Sequence, residues 1–352
     1  MKIPTLALLL LSFAARAQSF KPFADSIRKA YAIPALGYAV ISADSILEME
    51  MLGNKKGEIP AALNDRFRIG SNTKAITGMV AALLVKKKVI AWNTPFFTLF
   101  PELKKGSHQA YQDITLLQAL TFRNKLPRYT YTNAAPTQQQ IKGNDAQQRY
   151  EFVKWLLQQP PVTDTAALNL TNAGFALAGI MLEKASHKSY PQLIQDLGES
   201  MHIHFAFGAP NYPDSSQTWG YDANGQPEAP ASNYKLNWLM AAGNINITLP
   251  DYARYIQEQL KGFAGKSSLL SAREFTFLHY GLPGFAVGWF WHTSDAGHLI
   301  SENTGNPGTF ITTIHIDKTA NRAYLFFTNI QRDNVYEALA HFREALEAHY
   351  GN

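Results

Sequence analysis

Ser71 and Lys74 are the residues whose types and spacing most directly suggest chemistry. They lie three positions apart in the run Ser71-Asn72-Thr73-Lys74, where a stretch with helical periodicity begins. Residues three apart share one face of a helix, so the Lys74 amine can lie beside the Ser71 hydroxyl. A desolvated lysine can take a serine's proton and make it a nucleophile, and the positive end of the helix dipole favours the negative charge of acyl transfer. The pair is therefore a candidate nucleophile and base.

The Ser-x-x-Lys pattern occurs three times, at Ser26 with Lys29, Ser71 with Lys74 and Ser232 with Lys235. Only Ser71 precedes a long apolar helix, which the periodicity predicts over 75–86. We interpret the other two matches as chance. On spacing alone, the simpler interpretation even of Ser71 is a helix N-cap, and of Lys74 a solvated side chain.

The elements that must position this pair are sheet-forming segments at both ends of the chain with helices between them. Strands are predicted at 36–41, 46–52, 285–291, 309–316 and 323–329, and the main helices at 22–31, 75–86, 173–184 and 248–260, with a closing helix from 333. This layout predicts an α+β fold, with a sheet subdomain from about 18–70 and 250–352 and a helical subdomain from about 71–249. Ser71 would lie at their junction, a common place for ligand clefts. Residues 127–144, rich in Pro, Thr, Asn and Gln, predict an exposed loop.

The N-terminus predicts export. Lys2 precedes an apolar run over 6–11, and Ala15-Arg16-Ala17 supplies small residues on either side of a cleavage point, so residues 1–17 are predicted to be a signal peptide cut before Gln18. The apolar run is too short for a membrane span, and no other segment approaches the required ~20 residues. We therefore expect a periplasmic or secreted protein.

Composition limits the possible function classes. The chain has 352 residues, 46% hydrophobic and 17% charged, which suits a globular protein with a substantial core. Removal of Lys2 and Arg16 with the signal peptide lowers the formal net charge from +5 to +3, and no basic cluster favours nucleic acid. The lack of cysteine excludes disulfides and a thiol nucleophile. His202-Ile203-His204 lacks an apparent third ligand and predicts a surface strand, so neither a metal nor a cofactor is expected.

Beyond the Ser-Lys pair, several segments occur in an order that resembles a known family. They include Ile33-Pro34-Ala35-Leu36-Gly37, Arg66-Phe67-Arg68-Ile69-Gly70-Ser71, Phe100-Pro101-Glu102-Leu103, Ala241-Ala242-Gly243-Asn244, Gly288-Trp289-Phe290 and Thr304-Gly305-Asn306-Pro307-Gly308. The chain resembles the serine β-lactamase and penicillin-binding-protein superfamily, in its class C-like branch of D,D-peptidases, esterases and related serine hydrolases. The resemblance covers nearly the whole mature chain and implies that family's fold.

The resemblance also implies roles for individual residues. Ser71 would be the nucleophile and Lys74 the base, with Asn172 as the asparagine of a Tyr-x-Asn motif. A strand that carries Asn303, Thr304 and Gly305 would form the opposite wall. The backbone N–H groups of Ser71 and Asn306 would form the oxyanion hole.

Three positions depart from the family's pattern. Leu170 stands where the Tyr-x-Asn tyrosine is expected, and Asn303 replaces a lysine or histidine. The segment Phe122-Arg123-Asn124-Lys125-Leu126-Pro127 replaces the usual His-Thr-Ser-Gly-Leu-Pro. Because general acid–base groups contribute roughly 10²–10⁴-fold each, activity of the usual kind would be much reduced.

Several replacements for the missing groups are open at this point. Tyr131, in Tyr131-Thr132-Asn133, could lean into the cleft, although a loop tyrosine is the simpler interpretation. Arg123 or Lys125 could supply charge, although solvated loop residues are the simpler interpretation. A Ser-Lys dyad that works without the tyrosine is the replacement we favour.

Three functions remain, in this order. The first is an exported serine hydrolase that forms an acyl-enzyme with an ester, an amide or a peptidoglycan-type peptide. The second is a catalytically impaired binding protein on the same scaffold, and the third is a structural protein of the cell envelope. The expected partner is a small-molecule or peptide substrate, and the sequence predicts no oligomeric state.

Overall fold

The computed structural model describes residues 19–351 except Thr165 and Ser232. The predicted signal peptide therefore lies outside the described residues, as does the serine of the third Ser-x-x-Lys match. None of the helices in the described ranges is long and apolar enough to cross a membrane.

The main sheet has seven antiparallel strands in the order β3-β2-β1-β10-β9-β8-β7, drawn from both ends of the chain. Its strands are β1 (Ala35–Ile41), β2 (Ile46–Lys56), β3 (Ile59–Pro60), β7 (Phe290–Thr293), β8 (Leu299–Gly305), β9 (Ile311–Asp317) and β10 (Arg322–Thr328). A second, three-stranded sheet contains β4 (Arg66–Arg68), β5 (Ala206–Phe207) and β6 (Ile245–Thr248), in the order β4-β6-β5. Strand β4 leads directly into the segment that carries Ser71.

The described helices lie before, between and after these strands. They are α1 (Lys21–Ala30), α2 (Thr73–Lys86), α3 (Phe96–Leu99), α4 (Leu116–Leu120), α5 (Asp145–Gln158), α6 (Asn172–Ser186), α7 (Tyr190–Met201), α8 (Tyr234–Trp238), α9 (Met240–Gly243), α10 (Leu249–Phe263), α11 (Ala272–Tyr280) and α12 (Asp333–Tyr350). Short 3₁₀ turns occupy Gly70–Asn72, Pro101–Leu103 and Gln109–Tyr111.

Both faces of the main sheet are covered, which explains why β1 is apolar throughout. Leu36, Tyr38 and Val40 face α1 and α12 in one core cluster, whereas Ala39 and Ile41 belong to the larger cluster on the other side. The larger cluster continues between the helices, where α2 and α6 are buried on nearly all sides. A helix that is apolar all round is buried in this way. The α+β organisation is thus confirmed.

Two predicted elements are wrong. The apolar run at 285–291 is a strand only from Phe290, because the chain reverses at Gly288, whose φ is +90°, and Phe285 bridges back to Phe290. An apolar aromatic run looks the same in a strand and in a buried turn. The His202–His204 segment is not a strand either, since His202 ends α7 in the left-handed conformation at φ +54°.

Strand β8 packs directly on the 3₁₀ turn that carries Ser71. A methyl group on Gly305 would lie 1.8 Å from the carbonyl oxygen of Ile69, so no side chain fits between the two backbones. We predict that Gly305→Ala lowers the free energy of unfolding by about 1–3 kcal/mol, because overpacking forces the backbone to shift. Urea unfolding measures this change.

The matched control is Gly106→Ala, where the added methyl would meet only the Gln158 amide at 3.9 Å. This variant should unfold at the wild-type urea concentration or slightly above it. Equal stability of the two variants would show that β8 does not constrain the turn.

Candidate active site

Ser71 lies in the 3₁₀ turn Gly70–Asn72, between strand β4 and helix α2. The turn begins with Gly70 at φ +48°, a backbone conformation that glycine adopts without strain. A Cβ on Gly70 would also approach the backbone nitrogen of Asn306 to 2.9 Å. Gly70 therefore lets the backbone of the Ser71 segment and that of the Asn306 turn come together, as the predicted pair of oxyanion donors requires.

The Lys74 amine contacts three oxygen atoms from three different elements. Its Nζ lies 2.9 Å from Ser71 Oγ, 2.8 Å from Asn172 Oδ1 and 2.9 Å from the carbonyl oxygen of Ala242. None of these partners is a carboxylate, and the Phe175 ring lies 5.5 Å away. Burial of the amine lowers the pKa of Lys74 from 10.5 to about 7.

This arrangement suits a neutral amine as well as a charged one. A neutral lysine has two N–H donors and one lone pair. Asn172 Oδ1 and the Ala242 carbonyl can accept the two N–H groups, which leaves the lone pair for the Ser71 hydroxyl. In that protonation state Ser71 donates its hydrogen bond to Lys74, as a serine activated by a general base must.

Asn172 is the first residue of helix α6, and the residue before it caps that helix. Thr171 Oγ1 accepts a hydrogen bond from the Ala173 N–H at 3.2 Å and donates to the Pro127 carbonyl at 2.8 Å. These bonds fix the start of α6 and hence the amide that meets Lys74. Leu170, by contrast, is 55% exposed at the cleft. A hydrophobic side chain without a titratable group therefore occupies the position where the resemblance implies a tyrosine.

Strand β8 forms the opposite wall, with alternating side-chain directions. Asn303 is buried, and its Nδ2 donates a hydrogen bond to the Gly288 carbonyl at 2.7 Å, so this amide nitrogen already has a partner within the protein. Thr304 is exposed and lines the cleft, while Gly305 is buried against the Ser71 turn. The structure thus brings together all the predicted site residues. The side chain of Asn303 makes its hydrogen bond within the wall of the cleft.

The cleft around Ser71 encloses a cavity of about 270 Å³ with an apolar side. Phe122, Phe285 and Phe290 form this side. The ring centroid of Phe285 lies 4.3 Å from that of Phe122 and 4.7 Å from that of Phe290. Among the described residues that line the cavity, Lys74 is the one cationic group. Phe122 adopts φ +59°, an uncommon conformation for an aromatic residue, and begins the segment that departs from the family's pattern.

The structure places the alternative charged groups elsewhere. The Arg123 guanidinium donates to the carbonyls of Thr121, Pro283 and Phe285, so it joins two loops behind the cleft. Lys125 is exposed and does not line the cavity. Tyr131 donates its hydroxyl to the Asn306 carbonyl at 3.0 Å.

The match at Ser26 makes no such pair, and the serine of the third match lies outside the described residues. Ser26 donates to the Phe23 carbonyl, and Lys29 pairs with Asp25 at 2.6 Å on the surface. Lys235 donates to the backbone carbonyls of Tyr131 and Asn133. Of the two matches whose serine and lysine are both described, the one at Ser71 joins a serine hydroxyl to a buried amine.

Sequence reasoning missed two contributors to the site. The Ala242 carbonyl is a backbone acceptor, and backbone groups leave no signal in residue type. The aromatic side of the cavity combines Phe122 with Phe285 and Phe290, which lie far from it in the sequence, and no sequence pattern distinguished Phe122. The resemblance did place Ala242 in a matching segment, without a role for its carbonyl.

A family model described as Beta-lactamase matches residues 20–349. Among curated proteins, Protein flp from Staphylococcus aureus strain MW2 is 22% identical over 299 residues, which cover 83% of this chain. The match spans only 58% of that protein's length. This relative is distant, and the chain spans little more than half of it.

Solved structures share the fold at low identity. FmtA from Staphylococcus aureus superposes with a TM-score of 0.75 at 16% identity, covering 95% of this chain and 88% of that one. A class C beta lactamase from Rhodobacter sphaeroides gives a TM-score of 0.71 at 16% identity, with coverages of 90% and 95%. These likenesses show the β-lactamase/transpeptidase fold, as the resemblance implied.

The buried amine predicts a specific dependence of stability on pH. Because the folded pKa of Lys74 is about 7 and the unfolded value 10.5, the unfolded chain binds more protons between these values. Stability from this group should therefore rise with pH, by roughly 1.4 kcal/mol per pH unit, between about pH 7.5 and 9.5. Lys74→Met should remove that slope in urea unfolding.

The control is Lys188→Met, which removes a lysine that is 51% exposed and paired with Asp196. It should keep the wild-type slope, since surface pairs contribute little. Parallel curves for wild type and Lys74→Met would mean that the amine is not held neutral by burial.

Proposed function

The chain belongs to the beta-lactamase family, and we propose that it is an exported serine hydrolase that acts through an acyl-enzyme on Ser71. The observation that carries this proposal is the contact of 2.9 Å between Ser71 Oγ and a buried Lys74 amine with no carboxylate partner. Such an amine is partly neutral near pH 7 and can serve as a base. The predicted signal peptide over 1–17 supports export.

In the proposed reaction, Lys74 takes the Ser71 proton while Ser71 Oγ forms a bond to the substrate carbonyl carbon. The N–H groups of Ser71 and Asn306 stabilise the oxyanion. When the carbon–leaving group bond breaks, the Lys74 ammonium gives its proton to the leaving group. Water then attacks the acyl-enzyme, with Lys74 again as base, and releases the acid and free Ser71.

Asn172 would act on Lys74 rather than on the substrate. Its Oδ1, with the Ala242 carbonyl, holds both N–H groups of the neutral amine, so the lone pair stays directed at Ser71. This is the dyad arrangement that the sequence favoured over a rescue by Tyr131. It needs no phenol at position 170.

The cleft favours a substrate without a carboxylate. A charge-assisted bond to a carboxylate needs a cation, and the Asn303 amide is both neutral and bonded to the Gly288 carbonyl. The aromatic side of the cavity suits an apolar acyl group. We therefore propose a neutral ester or amide as the preferred substrate and inefficient turnover of β-lactams.

A binding protein on the same scaffold is the second candidate. Leu170, more than half exposed where the family carries a tyrosine, is the observation that favours it. In this case the cleft would hold a ligand without forming a covalent bond. The two candidates differ in whether Ser71 is reactive.

Covalent labelling of Ser71 separates these candidates. We predict that a fluorophosphonate adds one adduct mass to the mature protein and to Ser26→Ala, and none to Ser71→Ala, as read by intact-protein mass spectrometry. Ser26→Ala is the matched control because it removes the serine of another Ser-x-x-Lys match. Penicillin should leave little or no adduct. A folded wild-type protein that stays unlabelled would favour the binding protein.

The pH dependence of acylation tests the role of Lys74. We predict that kcat/KM for a neutral nitrophenyl ester rises with pH, with a midpoint near the Lys74 pKa of about 7, and then levels. Lys74→Arg should lose roughly 10²–10⁴-fold at every pH, because arginine stays protonated. Lys188→Arg, on the surface, should match wild type. A profile without a midpoint near neutrality would exclude Lys74 as the base.

A further inference from the structure

We propose that Tyr131 is a positioning residue: its hydroxyl holds the turn at 306–308, which carries the second oxyanion donor, across the cleft from Lys74. This inference rests on the proposed acyl transfer at Ser71. It gives a function to a loop tyrosine that the sequence left as either a proton-transfer group or a bystander.

The turn at 306–308 is held by three hydrogen bonds, of which Tyr131 makes the one to a main-chain carbonyl. Tyr131 donates its hydroxyl to the Asn306 carbonyl at 3.0 Å. The Asn306 side chain donates to the Tyr336 hydroxyl at 2.9 Å and accepts from the Gly308 N–H at 2.9 Å. Because an oxyanion donor acts only from a narrow range of positions, these bonds determine where the Asn306 N–H points.

Tyr131 belongs to a segment that is fixed on the helical side of the cleft, which we call the strap (residues 126–133). Asn169 Nδ2 donates to the Leu126 carbonyl at 2.7 Å. Thr171 donates to the Pro127 carbonyl at 2.8 Å and accepts from the Tyr129 N–H at 3.1 Å. The strap thus starts beside Asn172, the partner of Lys74.

The far end of the strap is anchored by Lys235, whose Nζ donates to the backbone carbonyls of Tyr131 and Asn133. Lys235 is itself buried. The hydroxyl of Tyr131 then reaches the sheet side at Asn306. One short segment therefore connects the residues that orient the base with the residue that offers an oxyanion donor.

The surroundings of Tyr131 keep its hydroxyl protonated. Burial raises the pKa of Tyr131 above 10, against the opposing effect of Arg68, with Glu228 and Tyr336 acting in the same direction as burial. Arg68 is paired with Glu228 at 3.3 Å, and Glu228 also accepts from Thr309 at 2.5 Å. The hydroxyl is consequently a hydrogen-bond donor throughout the neutral pH range.

This role differs from proton transfer in what it predicts. A proton-transfer group would change the pH dependence when removed, whereas a positioning residue for the oxyanion lowers the rate without moving the midpoint set by Lys74. Removal of an oxyanion donor costs roughly 10²–10³ in kcat. Loss of the bond that orients the donor should cost less, about tenfold.

The test compares Tyr131→Phe with wild type on a neutral nitrophenyl ester. We expect kcat to fall about tenfold, KM to change less than twofold, and the midpoint of the pH profile to stay in place. Affinity for phenylboronic acid, which forms a tetrahedral adduct with an active serine, should weaken by the same factor as kcat/KM. Unchanged kcat, or a shifted midpoint, would overturn the inference.

Tyr150→Phe is the matched control, because its hydroxyl donates to Glu102 at 3.1 Å away from the cleft. It should keep wild-type kinetics.

Lys235→Met is a second variant, which frees the strap from its other anchor. This variant should also lower kcat, and wild-type kinetics in Lys235→Met would count against the inference. If wild type is labelled at Ser71 and Tyr131→Phe reacts as fast as wild type, this inference alone is overturned. Unlabelled wild type would overturn the proposed function and this inference together.

Discussion

The buried amine of Lys74 is the constraint on which the rest of the site depends. An ammonium taken out of water without a counter-ion is costly, and the protein avoids this cost by making the amine partly neutral near pH 7. Neutrality is useful only if both N–H groups find acceptors. Asn172 and the Ala242 carbonyl supply them, so the start of α6 and the end of α9 must meet α2 at one point. The helical core packs these three elements together.

The same constraint explains why the sheet approaches the Ser71 turn so closely. Lys74 is buried, and the wall across the cleft covers part of the segment on which it lies. The sheet side does this through backbone contact, at Gly305 against Ile69 and at Gly288, where a Cβ would lie 2.7 Å from the Lys74 carbonyl. The Asn303 amide adds a hydrogen bond to the Gly288 carbonyl on the same side.

The sequence predicted the local parts of this site well and the long-range parts poorly. The Ser71–Lys74 contact follows from helix geometry, and α2 follows from its apolar composition. The ordered match of several segments to one family placed Asn172 and Asn303 in the cleft. The bond from Tyr131 to Asn306 joins residues 175 positions apart through a phenol and a backbone carbonyl, and no local pattern encodes such a contact. The strand predicted at 285–291 failed for a related reason, since the chain reverses at Gly288 and brings Phe285 back beside Phe290 at the cavity.

Leu170 and Asn303 take on a different meaning once the environment of Lys74 is known. A cation at position 303 or a phenol at position 170 would add its own electrostatic effect to the pKa of a nearby amine. With neutral residues at both positions, burial is the cause that lowers the pKa of Lys74. The departures from the family's pattern at these two positions therefore add no charge that would shift the pKa of Lys74 further. At the Lys74 position a methionine of similar size would pack without the cost of burying a charge. Burial lowers the pKa of the lysine that contacts Ser71, and a perturbed pKa at this place favours a reactive serine over an inactive one.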